Sequence, residues 1–106
     1  MPGQLRVAPA TIERLASLPS WFSTPEALAQ WGGSSLSFPL DTDQIEAMLA
    51  ETRTAPPLRL AFVGIIEDET VAHAQLALDW TDCIARLARF AVAPAYRRRG
   101  LARPFL

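Results

Sequence analysis

The sequence predicts a domain of the α/β class, of the α+β type, in which helices flank a mixed but mainly antiparallel sheet. Two observations support this prediction. Residues 10–50 carry helix-start signals and apolar residues at helical spacing, whereas residues 58–92 form three apolar or alternating runs separated by short polar turns. Runs joined by such tight turns are typical of an antiparallel meander. A short strand over residues 4–7 is predicted to precede the helices.

Two helices are predicted before residue 34. The apolar residues that indicate the first one by their helical spacing are Ile12, Leu15 and Ala16. Pro19 is expected to end this helix, because proline cannot continue the hydrogen-bond pattern. The second helix is predicted to start after Thr24, whose side chain can cap it, with Pro25 at the first helical position. Gly32 and Gly33 follow where a helix commonly ends.

A third helix is predicted to begin after Asp41, as a cap, with Gln44 reaching back to complete a capping box. Its apolar stripe is formed by Ile45, Met48 and Leu49. The strands follow over residues 58–66, 71–80 and 84–92. In the middle strand the alternation places Ala72, Ala74, Leu76, Leu78 and Trp80 on one face and His73, Gln75 and Asp79 on the other. The second of these faces is therefore expected to be half polar.

Length and composition exclude several classes of protein. The chain has 106 residues, which is one domain, and its 50% hydrophobic and 20% charged residues are not those of a disordered chain. The longest apolar run, residues 60–66, is too short to cross a bilayer, and the first residues do not resemble a signal peptide. The single Cys83 excludes an internal disulfide and a cysteine metal cluster. A cytoplasmic protein without a metal or a membrane partner is expected.

The charges are distributed unevenly along the chain. The net charge is −1, so a nucleic-acid partner is not expected. Residues 1–82 nevertheless carry four arginines and all eleven acids, whereas residues 83–106 carry six arginines and no acid. This asymmetry indicates either that the C-terminal segment meets an anion or that its arginines pair with acids elsewhere in the fold.

Residues 89–103 contain the motif that indicates chemistry. They run from a strand through Pro94 and three consecutive arginines, residues 97–99, to Gly100 and the start of a helix. A loop that enters a helix presents several unpaired N–H groups in one direction, and the helix dipole adds partial positive charge there. Gly100 lets a ligand approach the backbone closely. The segment therefore predicts a diphosphate site.

This segment resembles the acetyl-CoA-binding motif of the GNAT superfamily of N-acetyltransferases. The motif is Gln or Arg, two residues, Gly, one residue, then Gly or Ala, and it is met by Arg97, Gly100 and Ala102. The order of elements is also similar to that superfamily. The resemblance implies transfer of an acetyl group from acetyl-CoA, as a cosubstrate, to a primary amine of a small molecule or protein.

The resemblance also implies roles for particular residues. The backbone of Phe90, Ala91 and Val92 would pair with the pantetheine arm, and an N–H near Val92 would polarise the thioester carbonyl. Arg97 would shape the loop. The pyrophosphate would be held by the N–H groups of Arg98, Arg99, Gly100, Leu101, Ala102 and Arg103. No catalytic acid or base is assigned, because Tyr96 does not match the position of the tyrosine that protonates the thiolate in that superfamily.

The resemblance implies that residues 1–106 are the N-terminal part of such a domain, ending in the helix after the pyrophosphate loop. An inactive fragment that binds CoA or pairs with a partner is the alternative. The edge of the 84–92 strand and an uncovered apolar sheet face are expected to favour a homodimer or aggregation.

The remaining candidates have simpler interpretations. His73 is expected to be solvated or structural, with a general base as the alternative. The acids of residues 67–69 and those at Asp79 and Asp82 are expected to form turns. Cys83 is not expected to be a catalytic thiol. The aromatic residues Trp21, Phe22 and Trp31 are expected in the core or at the border of an acceptor site.

Overall fold

The computed structural model describes residues 4–97, which form one four-stranded sheet with two α-helices. The strands are β1 (Arg6–Pro9), β2 (Arg59–Ile66), β3 (Glu69–Asp79) and β4 (Ile84–Val92). Their order in the sheet is β1-β2-β3-β4, and every neighbouring pair is antiparallel. The predicted fold class and the three-stranded meander are confirmed, and the opening strand lies two residues later than predicted.

The strands of the meander are joined by two tight turns. Between β2 and β3, Glu67 and Asp68 both adopt positive φ angles, 51° and 66°, which suits a two-residue hairpin turn. Between β3 and β4, the carboxylate of Asp79 accepts hydrogen bonds from the N–H groups of Thr81 and Asp82, both at 3.1 Å. The predicted turn roles of residues 67–68 and of Asp79 are therefore confirmed, whereas Glu69 already belongs to β3.

The helix α1 (Pro25–Gly32) starts and ends as its sequence predicts. The Thr24 hydroxyl accepts a hydrogen bond from the N–H of Ala27 at 3.1 Å. At the other end, Gly33 has a φ of 78°, and its N–H donates to the carbonyl of Ala29. Local side-chain chemistry alone determines both ends of this helix.

The helix α2 (Thr42–Ala50) confirms the predicted cap and apolar stripe, but the predicted capping box is wrong. Asp41 accepts from the N–H of Gln44 at 2.9 Å, as expected of a cap. The amide of Gln44 does not return to Asp41. It accepts from the N–H of Ser37 and donates to the carbonyls of Ser37 and Pro39. This side chain therefore anchors the loop before α2.

The helix predicted around Ile12–Ala16 is not a regular α-helix. One helical bond joins the N–H of Leu15 to the carbonyl of Thr11, and the bonds that follow span three residues, ending in a 3-10 helix (Leu18–Trp21). Pro19 has no N–H, and its ring would clash with the carbonyl of Leu15, four residues earlier, in an α-helix. Of the predicted stripe, Leu15 is buried and Ala16 is exposed, because these tighter turns bury Leu15 and Leu18 at a spacing of three residues.

The main core lies between one face of the sheet and the helices. It contains Leu28 of α1 and Ile45 and Leu49 of α2, together with Val63 of β2 and Ala91 of β4. Since residues paired across a sheet share a face, His73, which pairs with both Val63 and Ala91, also points to this helix face. The half-polar face of β3 is therefore buried against the helices at His73 and Gln75.

The apolar residues of β3 instead occupy the second face. There Ala72 and Ala74 form a separate small cluster with Phe62, Phe90 and Val92. Leu60 and Leu87 lie on the same face in register with Leu76, and both are exposed to solvent. The sheet thus carries apolar residues on both faces, and within residues 4–97 the two α-helices pack on only one of them.

Candidate acetyl-donor site

A cleft of about 380 Å³ lies between α1 and the end of β4, and we refer to it as the β4 cleft. It is lined by Phe22, Ala27, Gln30, Trp31, Phe90, Ala91, Val92 and Arg97. Four of the ten residues predicted to bind acetyl-CoA, namely Phe90, Ala91, Val92 and Arg97, therefore lie together. The other six, Arg98, Arg99, Gly100, Leu101, Ala102 and Arg103, lie outside the described residues.

The N–H and C=O groups of successive β4 residues point alternately toward β3 and toward the open edge of the sheet. Just beyond the strand, the N–H of Ala93 donates to the carbonyl of Val71 at 2.8 Å, so Ala93 faces β3. In an antiparallel strand successive residues direct their N–H and C=O groups to opposite sides. The N–H and C=O of Val92 therefore point away from β3, as do those of Phe90, whereas those of Ala91 point to β3. Among the described strands, β4 is at the edge of the sheet.

Arg97 ties the end of β4 to the segment before α1. Its Nε donates to the carbonyl of Val92 at 3.1 Å, and its Nη2 donates to the carbonyl of Trp21 at 3.3 Å. The side chain thus engages the outward carbonyl of Val92 and leaves the adjacent N–H directed at the edge. The predicted role of Arg97 in shaping the loop stays a prediction, because the rest of that loop lies outside the described residues.

A series of hydrogen-bonded polar groups lies behind the cleft on the helix face; His73 and Gln75 are buried, and Arg89 is half-buried. Arg89 donates to the side-chain oxygen of Gln75 at 3.2 Å and to the carbonyl of Gly32 at 3.0 Å. Its guanidinium also lies 5.5 Å from the ring centre of Trp31. The amide nitrogen of Gln75 lies 3.0 Å from Nε2 of His73, whose Nδ1 lies 2.9 Å from the carbonyl of Phe62.

The hydrogen-bond donors in this series of polar groups can be assigned from the groups at its two ends, Arg89 and the Phe62 carbonyl. An arginine side chain only donates, so the Gln75 oxygen must face Arg89 and its NH₂ must face His73. The Phe62 carbonyl only accepts, so Nδ1 of His73 carries the proton and Nε2 accepts from Gln75. His73 is therefore neutral, and both of its ring nitrogens are occupied. We name this chain the His73–Gln75–Arg89 network.

His73 is structural. It has no exposed surface, so of the two expected roles, solvated or structural, the structural one is confirmed. The pKa of His73 is lowered from 6.5 to about 4, mainly by burial; the hydrogen bond to the Phe62 carbonyl opposes this shift, and the charge of Arg89 adds to it. A ring with this pKa is unprotonated near neutral pH, and its one lone pair is already used. The geometry does not support the alternative role of a general base.

The lowered pKa of His73 predicts that the chain loses stability in mild acid. The unfolded chain binds a proton at this residue below pH 6.5, whereas the folded chain does so only near pH 4. Stability is therefore lost as the pH falls between these values, by about 2 kcal/mol from pH 7.5 to 5.0. Urea unfolding followed by tryptophan fluorescence at both pH values measures this loss.

The control for this pH effect is His73→Gln, which can still donate and accept but does not titrate. All other acids are common to both chains, so the difference between the two pH dependences isolates His73. Equal losses in the two chains would contradict a neutral, buried His73.

The comparison with known proteins identifies the fold around this cleft. The sequence model of the acetyltransferase (GNAT) family matches residues 21–104, more than half of the chain. The chain belongs to the GNAT acetyltransferase family.

Solved GNAT-type structures share this fold at low sequence identity. A spermidine N-acetyltransferase chimera from Vibrio cholerae and hSSAT superposes with a TM-score of 0.68 at 14% identity, covering 96% of this chain and 58% of that chain. A "possible acetyltransferase" from Clostridium difficile gives 0.68 at 18% identity, covering 94% and 64%. A "predicted acetyltransferase with acetyl-CoA" from Clostridium acetobutylicum gives 0.56 at 14% identity, covering 95% and 68%. This chain thus spans about three-fifths of the length of the first two structures.

The aromatic residues near the β4 cleft differ in exposure. Trp21 and Phe22 are buried in the core, as the simpler interpretation expected, and Phe22 also lines the cleft. Trp31 is partly exposed and lines the cleft, and it stacks on Phe22 with a centroid distance of 4.8 Å. Sequence reasoning missed Ala27 and Gln30 of α1 as lining residues. Their positions on α1 depend on how the helix packs, which no motif specifies.

Tyr96 and Cys83, the other residues considered for catalysis in this GNAT chain, lie outside the β4 cleft. The Tyr96 hydroxyl donates to the carboxylate of Glu69 at 3.1 Å, which ties the segment after β4 to the start of β3. Cys83 is exposed in the turn before β4. Within residues 4–97 there is no cluster of three metal-ligating side chains, and no helix there has the length and apolar character needed to span a bilayer.

Proposed function

We propose that this chain binds acetyl-CoA along the edge of β4 and belongs to an enzyme that acetylates a primary amine of a small molecule or protein. The observation that carries the proposal is the outward N–H of Val92 beside the β4 cleft, next to a carbonyl engaged by Arg97. Family membership supports acetyl transfer as the reaction class.

The pantetheine arm is proposed to add to β4 as an extra strand. Its amide groups would bond to the outward backbone of Phe90, as in other cases of strand addition, and the thioester at its end would meet the outward N–H of Val92. Ala91 pairs its backbone with β3 and contributes its small side chain to the cleft wall. The pyrophosphate is proposed to bind the N–H groups of residues 98–103, which follow Arg97 directly along the chain.

The reaction we propose is direct attack of a neutral amine on the thioester. The new C–N bond forms as the C–S bond breaks, CoA leaves as its thiolate, and the amine loses its extra proton to solvent or to a base. As negative charge develops on the carbonyl oxygen, the N–H of Val92 donates a hydrogen bond to it. This donor is fixed by the strand before the substrate arrives, so little reorganisation is needed.

The edge of β4 also bears on the oligomeric state and the location that we propose. A homodimer through this edge would use the same outward backbone groups as acetyl-CoA, so the two would compete. Sedimentation with and without acetyl-CoA tests this, because a dimer that persists when the site is saturated would contradict competition. The lone, exposed Cys83 suits the reducing cytoplasm that we propose as the location. Fractionation of the source cells checks the location.

Arg97→Ala is expected to weaken acetyl-CoA binding by about tenfold, because two side-chain hydrogen bonds that hold the end of β4 are lost. Isothermal titration calorimetry of the 106-residue chain with acetyl-CoA measures this change. The matched control is Arg86→Ala, which removes the same charge from an exposed position on β4. Equal weakening by both substitutions would mean that only the overall charge matters.

Three further outcomes bear on the proposal. Saturable binding that is followed by release of free thiol with an amine panel supports the enzyme. Saturable binding without turnover supports the alternative, a fragment that binds CoA and catalyses nothing. A folded chain that binds no acetyl-CoA overturns both.

A further inference from the structure

A second pocket lies on the helix face, between α2 and the strands β2 and β4. Its volume is about 260 Å³, and we call it the α2 pocket. Leu36, Ala47 and Met48 form an apolar wall, whereas Glu51, Arg59 and Arg89 provide charges. None of the residues in this pocket belongs to the acetyl-CoA motif.

The charges in the α2 pocket do not balance. The carboxylate of Glu51 accepts from Nε of Arg59 at 2.6 Å. Arg89 donates to uncharged oxygens, those of Gln75 and Gly32. Two guanidinium groups therefore share one carboxylate, and the pocket keeps one excess positive charge. The pKa of Arg89 is lowered first by burial and then by the charge of Arg59, which agrees with two cations held near each other.

One donor in this pocket is buried without a partner. The Nη1 atom of Arg59 is inaccessible to solvent and has no hydrogen-bond partner among the described residues. The Arg59 side chain as a whole is only 25% exposed. A buried charged donor without an acceptor is costly, and such groups in native structures call for an explanation.

A carboxylate balances the excess charge of the pocket, and it satisfies the orphaned donor once the Arg59 side chain turns Nη1 toward the pocket. Its planar pair of oxygens matches the fork of a guanidinium, and charge-assisted hydrogen bonds of this kind are the strong ones. One negative charge matches the single excess positive charge, whereas a phosphate group carries closer to two. The apolar wall can pack against a short carbon chain. We propose that the α2 pocket binds a short aliphatic monocarboxylate, held by Arg59 and Arg89.

This inference does not depend on acetyl transfer, so its test uses binding alone. The probe is butyrate, titrated at constant ionic strength into the chain with ¹⁵N-labelled arginine, and the readout is the Nε–Hε signal of each arginine. Saturable shifts of the Arg59 and Arg89 signals are expected. Butyramide, a neutral molecule of nearly the same shape, is expected to give none. Equal binding of butyramide, or tighter binding of inorganic phosphate, would overturn the assignment.

Variants of opposite sign separate a binding role from a structural one. Arg59→Gln is expected to weaken butyrate binding about tenfold or more, because a charge-assisted bond is lost. Glu51→Gln is expected to tighten it several-fold, because a competing carboxylate is removed. Tightening cannot result from partial unfolding, so the second variant remains informative even where the first one is unstable.

The matched control is Arg53→Gln. Arg53 is 61% exposed, pairs with Glu46 at 2.8 Å and lies outside the pocket. It is expected to leave the affinity for butyrate unchanged. Weakening equal to that of Arg59→Gln, or no effect of Glu51→Gln, would overturn the site.

Discussion

Replacing Val92 by proline is expected to lower kcat for acetyl transfer by about 10²–10³-fold, the cost of losing one oxyanion donor. Proline has no N–H, and the N–H of Val92 points away from β3, so the substitution removes no bond of the sheet. The fold and the carbonyl that Arg97 engages are retained. The measurement is the initial rate of thiol release with saturating acetyl-CoA and an amine that the unmodified chain acetylates.

The control for this experiment is Val92→Ala, which keeps the N–H and removes two methyl groups from the second face of the sheet. Its kcat is expected to stay within about threefold of that of the unmodified chain, a difference well below one hydrogen bond to a charged group. If the proline and alanine variants turn over equally well, the N–H of Val92 is not the donor. Circular dichroism of both variants excludes unfolding as the cause.

Gln75→Leu is expected to lower the free energy of unfolding by about 3 kcal/mol, although leucine has a similar volume and is more apolar. The substitution leaves Nε2 of His73 without a donor and a guanidinium nitrogen of Arg89 without its acceptor. Each buried polar group left unsatisfied costs about 1–3 kcal/mol. Urea unfolding at pH 7.5 measures the effect.

The same substitution at an exposed position is the control for this stability effect. Gln30→Leu, at an exposed position of α1 beside the β4 cleft, is expected to change the stability by no more than about 0.5 kcal/mol. A Gln75→Leu chain as stable as the Gln30→Leu chain would show that the His73–Gln75–Arg89 network adds nothing to stability.

Helix ends could be predicted because they depend on short-range chemistry. The hydroxyl of Thr24 and the carboxylate of Asp41 each accept from an N–H three residues later, and a sequence shows this spacing directly. The same signals did not predict where Gln44 points. Its partners in residues 37–39 belong to a loop with no regular pattern, so the competition between two backbone targets was not readable from the sequence.

Which face of β3 is buried could not be predicted from polarity alone. The face of His73 and Gln75 was expected to be half polar, and each side chain finds hydrogen-bond partners from other strands once the chain is folded. A polar side chain that is fully satisfied can be buried at little cost. The alanines of β3 occupy the second face, where Phe62 and Phe90 surround them. Which face of β3 is buried becomes clear only once β2, β3 and β4 are paired.

The candidate sites also differ in how far the sequence predicts them. Arg97 was predicted from a motif with fixed spacing, and it lies at the end of β4 as that motif implies. The α2 pocket was not predicted, because Glu51 and Arg59 come from the end of a helix and the start of a strand, and Arg89 from a third element. Each of them, taken alone, resembles an ordinary surface charge.

The stack of Arg89 on Trp31 forms a shared wall, because Arg89 lines the α2 pocket and Trp31 lines the β4 cleft. A carboxylate that draws the guanidinium toward α2 would also move it relative to the indole and to the carbonyl of Gly32. Thermodynamic linkage requires this effect to be reciprocal: if the carboxylate changes the affinity for acetyl-CoA by some factor, acetyl-CoA changes the affinity for the carboxylate by the same factor. We therefore expect a ligand bound in the α2 pocket to change the affinity of the β4 cleft for its own ligand.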